Sequence, residues 1–219
     1  MRLTVDVIEY SASFLNAVND MELDLRGNKI PSIENLAVTR DQHDTIDFSD
    51  NDIKRLENFP LMHRLKSIYL NNNRVMSIEP NLGKTLVNIQ NLIMNNNFIQ
   101  ELNDLEPLFS VKTLRCLSLI GNPVTKRPNY RLFIAHNMPN IKLLDFRKIN
   151  TKEREEAAKV FGGKEVKSAT FIPGDGLDKY TKKRKLEEES FKNAITNAKS
   201  LEEVQQLEKA MRSGNFQAK

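Results

Sequence analysis

The stretch Leu92-Ile93-Met94-Asn95-Asn96-Asn97-Phe98-Ile99 decides the fold, because its phrase recurs along the chain: apolar, any, apolar, two residues, Asn, any, apolar. Earlier copies read Leu23-Asp24-Leu25-Arg26-Gly27-Asn28-Lys29-Ile30, Ile46-Asp47-Phe48-Ser49-Asp50-Asn51-Asp52-Ile53 and Ile68-Tyr69-Leu70-Asn71-Asn72-Asn73-Arg74-Val75. A later copy is Leu117-Ser118-Leu119-Ile120-Gly121-Asn122-Pro123-Val124. The asparagines fall at 28, 51, 73, 97 and 122, at spacings of 23, 22, 24 and 25 residues. A period of this length marks stacked supersecondary units, none of which buries its apolar side alone.

Within each phrase the alternating apolar residues point inward from a short strand. The chain then turns away, and a buried Asn amide, with two donors and an acceptor, satisfies the backbone groups that lose strand partners. The asparagines are therefore expected to be structural. After each one the apolar step changes to about three residues, as in Ile53/Leu56/Phe59 and Ile99/Leu102/Leu105/Leu108, which predicts helical or 3₁₀ turns on the convex side. The expected fold is an α/β leucine-rich repeat solenoid with short parallel strands on its concave face. Helical caps are expected at both ends. Residues 4–20 read as an N-terminal helix capped by Thr4, with Val7, Ile8, Phe14, Leu15 and Val18 on one face. Tyr130-Arg131-Leu132-Phe133-Ile134 begins a helix, and Met138 to Phe146 add a last strand without the Asn.

The organisation expected is a repeat domain with its caps over 1–165, a basic, flexible linker over 166–190 and a helical hairpin over 191–215. The linker holds Lys179-Tyr180-Thr181-Lys182-Lys183-Arg184-Lys185, which fits a nuclear-import signal or a plain disordered linker. In the hairpin, Ser200-Leu201-Glu202-Glu203 forms a capping box.

The 219 residues carry 33 Lys/Arg against 29 Asp/Glu, and the excess is uneven. Residues 1–146 hold 16 basic and 17 acidic side chains, and the remainder 17 and 12. The repeat body therefore has no general attraction for polyanions, and any grip on nucleic acid must be local. One cysteine, Cys116, forbids an internal disulfide and a cysteine-based zinc site and fits a reducing compartment. No apolar run is long enough to span a membrane, and Asp6 sits where a signal peptide builds its apolar stretch.

Six short strands at about 4.8 Å spacing make a concave sheet about 25 Å long, the length of an α-helix of roughly 16 residues. The outward positions offer partner-binding candidates: Glu22, Asp24, Arg26, Asp47, Ser49, Asp50, Tyr69, Asn71, Ile93, Asn95 and Ser118. The first two repeats are acidic and the middle is neutral, with Tyr69 and Ile93 as apolar contacts. Such a face repels phosphate and suits a helix with basic and apolar residues, although a solvated charge row gives the same pattern. Catalysis has little to stand on. His43, His63 and His136 lie in different repeats without metal-ligand spacing, no glycine-rich phosphate loop is present, and no cofactor is expected.

Several stretches also resemble a known family. Glu22 to Leu36, Asp41-Gln42-His43-Asp44-Thr45-Ile46-Asp47-Phe48-Ser49-Asp50-Asn51 and Asn122-Pro123-Val124-Thr125 are similar to repeats of the A-prime family of the U-two spliceosomal small nuclear ribonucleoprotein. Tyr130 through Phe146 with Lys152-Glu153-Arg154 resembles the family's terminal cap, and Thr170-Phe171-Ile172-Pro173-Gly174 a phrase of its tail. The resemblance implies a nuclear, non-enzymatic splicing factor. Its concave sheet would hold a helix of an RNA-recognition-motif protein of the B-double-prime type, and the pair would bind a stem-loop of the small nuclear RNA. The tail hairpin would dock onto the solenoid or onto other spliceosome proteins, with no membrane and no small-molecule substrate involved. Phosphate contacts are then expected at Lys126, Arg127, Arg147, Lys148 and Lys152, where basic residues gather beside the last repeats. A regulatory adaptor of the same fold, binding a protein such as a phosphatase without RNA, is the competing reading.

Overall fold

A computed structural model describes residues 2–162. The expected linker over 166–190 and hairpin over 191–215 lie outside these residues. In chain order the elements are α1 (Val5–Tyr10), β1 (Ser13–Leu15), β2 (Met21–Asp24), a 3₁₀ turn (Leu36–Thr39), β3 (Thr45–Asp47) and β4 (Arg55–Leu56). β5 (Ser67–Tyr69), β6 (Ser77–Ile78), α2 (Leu82–Thr85), β7 (Asn91–Ile93), a 3₁₀ helix (Leu102–Ser110) and β8 (Cys116–Ser118) follow. The last are a 3₁₀ turn (Pro123–Lys126), α3 (Tyr130–Asn137), β9 (Leu143–Leu144), β10 (Arg147–Lys148) and α4 (Thr151–Phe161).

The phrase copies form the parallel middle of an eight-stranded sheet ordered β1-β2-β3-β5-β7-β8-β9-β10, closed at each end by an antiparallel hairpin. Each copy points its two apolar residues into the core: Leu23 and Leu25, Ile46 and Phe48, Ile68 and Leu70, Leu92 and Met94, Leu117 and Leu119 are all at most 2% exposed.

The asparagines perform the predicted task from the second copy onward. Asn97 Oδ1 accepts the Val75 N–H at 2.9 Å, and its Nδ2 donates to the Leu70 and Met94 carbonyls at 2.8 and 3.1 Å. Asn51, Asn73 and Asn122 repeat the arrangement, each taking an N–H of the preceding repeat. Asn28 differs: it is half-buried and donates only to the Arg26 carbonyl at 3.2 Å, since no repeat precedes it. The residue before each Asn is left-handed: Gly27, Asp50, Asn72, Asn96 and Gly121 have φ between +56° and +80°. Gly, Asn and Asp tolerate this conformation best, which explains their use there. At Gly121 a Cβ would also lie 2.2 Å from Asn96 Oδ1.

On the convex side the prediction of helical turns holds for residues 36–39, 82–85, 102–110 and 123–126. It fails at 55–56 in the second repeat and at 77–78 in the third, where β4 and β6 pair in parallel, Arg55 beside Ser77 and Leu56 beside Ile78, before the third repeat returns to a helical turn at 82–85. Extended chain covers the core at these positions, and Leu56 and Ile78 still point inward.

The N-terminal cap needs a larger correction. Thr4 does cap a helix, its side chain accepting the Val7 N–H, but α1 ends at Tyr10. Residues 13–15 are a strand antiparallel to β2, so Phe14, Leu15 and Val18 are exposed rather than buried on a helix. The physical cause is the open edge of β2: its backbone groups need partners, and β1 supplies them. Asn16 builds the reversal, its Oδ1 accepting the N–H groups of Val18 and Asp20 at 3.0 Å each. The C-terminal cap agrees with expectation in having α3 and the extra strand β9. α4 completes it, burying Ala157 and Phe161, with the Phe161 ring edge-on to Phe133.

Candidate functional site

The sheet register sorts the outward side chains into rows that cross the repeats. One row runs Asp24, Asp47, Tyr69, Ile93, Ser118, each beside the next on adjacent strands. The row next to it runs Glu22, Thr45, Ser67, Asn91, Cys116, Leu143. A guest lying along the sheet therefore meets carboxylates first, then an aromatic ring and aliphatic surface. The antiparallel hairpin sets Phe14 opposite Glu22, which extends the second row by a 41% exposed aromatic residue that the sequence reading assigned to a helix. The alternation Ser11-Ala12-Ser13-Phe14 shortly before Asn16 and Asn19 was the available signal.

Several row members are buried against their neighbours. Thr45, Ser67 and Ser118 are 2% exposed or less, and Glu22 and Asp47 are 8% exposed. Asp24 is held by Arg26, Nη2 to Oδ2 at 2.6 Å, and the guanidinium also lies 3.6 Å from Asp47. That hydrogen-bonded guanidinium keeps the Asp24 carboxyl below its ordinary pKa, so the carboxylate is ionised at neutral pH. Burial, with Glu22 and Asp47 nearby, pushes the Tyr69 phenol up and keeps it protonated. Burial also raises the Cys116 thiol.

Other predicted contacts serve the fold first. Asn71 Nδ2 reaches Ser49 Oγ at 3.4 Å, Asn71 Oδ1 accepts the Asn95 N–H at 3.2 Å, and Ser118 Oγ donates to Asn95 Oδ1 at 2.6 Å. Asp50 belongs to a parallel amide ladder, accepting from Asn72 Nδ2 at 2.8 Å, while Asn72 accepts from Asn96 at 2.8 Å. These ladders tie the side-chain oxygens of Ser49, Asn71 and Asn95 to neighbouring repeats. Asp24, Asp47, Tyr69 and Ile93 remain as a continuous set.

Of the predicted basic contacts, Arg147 and Lys148 lie on β10, at the C-terminal edge of the sheet, and Lys152 is on the first turn of α4. All three are exposed and make no ion pair among the described residues. Lys126 is exposed at the end of the 3₁₀ turn Pro123–Lys126, whereas Arg127 is tied to the Glu101 carboxylate and the Gln100 carbonyl.

Sequence reasoning missed an ion cluster at the edge where strands begin. Asp44 accepts the Met21 N–H at 3.0 Å, Arg64 Nη2 at 3.0 Å and Lys66 Nζ at 3.1 Å, and Lys66 also reaches Asp20 at 3.1 Å. The Arg64 guanidinium chiefly holds the Asp44 carboxyl well below the usual carboxylate range. A carboxylate depressed in the folded state stabilises above its unfolded pKa of about 4 and loses that contribution as pH falls. The melting temperature is therefore expected to drop below about pH 4, and Asp44→Asn to flatten that drop; an unchanged pH profile in thermal melts would remove Asp44 as its source.

Among the described residues no group of three or more His, Cys, Asp or Glu is placed to hold a metal ion, and no helix is long and apolar enough to cross a membrane. The chain matches the leucine-rich repeat family over residues 1–171. It is 46% identical to the human U2 small nuclear ribonucleoprotein A', over 99% of this chain and 89% of that protein. This chain belongs to the A' family of U2 small nuclear ribonucleoprotein proteins. The A' protein of Arabidopsis thaliana is 42% identical over 100% of this chain and 93% of its own length. Among solved structures, the crystal structure of the Drosophila melanogaster SNF/U2A' complex contains a chain 48% identical, with a TM-score of 0.73, covering 74% of this chain and 92% of that one. As a member of this family the chain is a ribonucleoprotein protein of the spliceosome.

Proposed function

We propose that this protein is a non-catalytic, nuclear scaffold of the U2 small nuclear ribonucleoprotein. On this reading its concave sheet holds a helix of an RNA-recognition-motif protein, and the pair binds a stem-loop of the small nuclear RNA during splicing. The observation that carries the reading is the row Asp24, Asp47, Tyr69, Ile93, which matches a helix presenting basic residues followed by apolar ones. Its support from relatives is that the Drosophila chain it resembles was crystallised in a complex with SNF.

RNA contact falls to the other end of the sheet. Arg147, Lys148 and Lys152 are exposed and unpaired among the described residues, so they are available to phosphate, whereas the acidic repeats are not. Lys126 joins them; Arg127 joins only by releasing Glu101. Base recognition belongs to the partner, whose motif presents aromatic residues to unpaired bases. Replacing Arg147, Lys148 and Lys152 together with Gln is expected to weaken hairpin binding by the protein pair about tenfold or more at near-physiological salt. The affinity of the two proteins for each other should stay the same. Filter binding across a salt series checks this, with a shallower salt slope for the triple variant. Unchanged affinity and slope would place the RNA elsewhere.

A further inference from the structure

The outer edge of β1 is open. Asp24 N–H donates to the Ala12 carbonyl at 2.9 Å and Asn16 N–H to the Asp20 carbonyl at 3.0 Å, with Phe14 opposite Glu22 between them. In an antiparallel ladder the inward backbone groups therefore belong to residues 12, 14 and 16, and those of Ser13 and Leu15 face outward. They have no hydrogen-bond partner among the described residues. Proteins usually blunt such an edge with charge or proline. Here the strand itself carries neither, and apolar side chains before, on and after it are exposed: Tyr10 is 89% exposed, Leu15 64% and Val18 72%.

Ser13 also lines a cavity of about 610 Å³ with Ile8, Glu9, Gln42, His43 and Arg64. His43 is 8% exposed, its Nε2 lies 3.0 Å from Ser13 Oγ, and its Nδ1 has no hydrogen-bond partner. The neighbourhood is acidic. From Leu3 to Leu25 the chain carries Asp6, Glu9, Asp20, Glu22 and Asp24 and no Lys or Arg. Lys66 answers Asp20 and Arg26 answers Asp24, which leaves Asp6, Glu9 and Glu22 without an ion pair among the described residues.

We propose that this edge is a strand-addition site for an extended segment of a partner protein that alternates Lys or Arg with apolar residues. The segment pairs with Ser13 and Leu15 as a ninth strand, covers the exposed apolar side chains, and turns its basic residues towards the unpaired carboxylates Asp6 and Glu9. Main-chain hydrogen bonds supply affinity, and alternate side chains supply selection. The charge excludes a second copy as the occupant, because edge-to-edge pairing would bring two acidic stretches together. The site is separate from the concave row proposed above.

The test is an NMR titration of the full ¹⁵N-labelled chain with a ten-residue probe peptide alternating Lys and Val, beside a counterpart alternating Glu and Val. The expected result is movement of the Ser13 and Leu15 amide signals, and slowed hydrogen exchange at both, with the Lys/Val probe alone. Leu15→Pro removes an outward N–H that β2 does not use, a substitution that edge strands tolerate, and should weaken the probe at least about tenfold. Leu15→Lys leaves the backbone intact, sets like charge against the probe, and should weaken it comparably if the proline variant does not fold. The proposal is overturned if both probes bind equally, or if shifts appear only at Asp24, Asp47 and Tyr69. It is also overturned if the edge signals move with protein concentration alone, the signature of a second copy.

Discussion

Replacing Asn97 with Leu is expected to destabilise the protein by roughly 3–5 kcal/mol, more than any surface change considered above. The amide makes four hydrogen bonds from a side chain that is 3% exposed, accepting from Val75 and donating to Leu70, Met94 and Asn95. Leucine has similar size but leaves one buried N–H and the carbonyls without these bonds, and each such loss costs about 1–3 kcal/mol. The effect should spread, because Asn97 ties the third repeat to the fourth and each repeat is stabilised chiefly by its neighbours. Chemical denaturation checks this, and Asn28→Leu is the control. Asn28 makes one hydrogen bond, within its own repeat, and its loss should cost about 1 kcal/mol or less. Equal losses at the two positions would show that the ladder between repeats is not what holds them.

Reversing Asp24 and Asp47 to Lys should weaken the protein pair by roughly 2–4 kcal/mol, since two attractive contacts to a basic helix become repulsive ones. Both carboxylates also serve the fold: Asp24 accepts the Arg26 N–H at 3.0 Å and Asp47 the Ser49 N–H at 2.8 Å. The double Asn variant separates the two roles. Its amide oxygens still accept those N–H groups while the charge is gone, so calorimetry should give a smaller loss of affinity with little change in melting temperature. If the reversed protein binds its partner as tightly as the unaltered one while remaining folded, the concave row is not where the helix lies.

The repeat architecture was legible because one short phrase encodes it. Alternation sets the strand, the Asn sets the turn, and stacking makes the core. The ends were less legible because tertiary demands decide them. Phe14, Leu15 and Val18 fit a helical face, yet the unpaired edge of β2 draws residues 13–15 into a strand. Asn71 and Asn95 looked like recognition residues until the register showed them bonded across repeats to Ser49 and Ser118. Such a ladder depends on which residues become neighbours 22 to 25 positions apart, and side-chain type alone does not reveal it. The ion cluster on Asp44 was hidden for the same reason, since Arg64 and Lys66 lie a full repeat away. The basic residues Arg147, Lys148 and Lys152 stand out in sequence, and the fold sets them at the end of the sheet opposite the acidic repeats.

The central claim is that this chain and an RNA-recognition-motif partner form one unit that takes up a hairpin RNA. Size-exclusion chromatography with light scattering on the three components, mixed singly and together at near-physiological salt, tests it most directly. The account predicts a 1:1 protein pair that retains the hairpin more tightly than either protein alone. Two proteins that elute apart both with and without RNA would contradict it, leaving the repeat fold in place and an adaptor role without RNA in its stead.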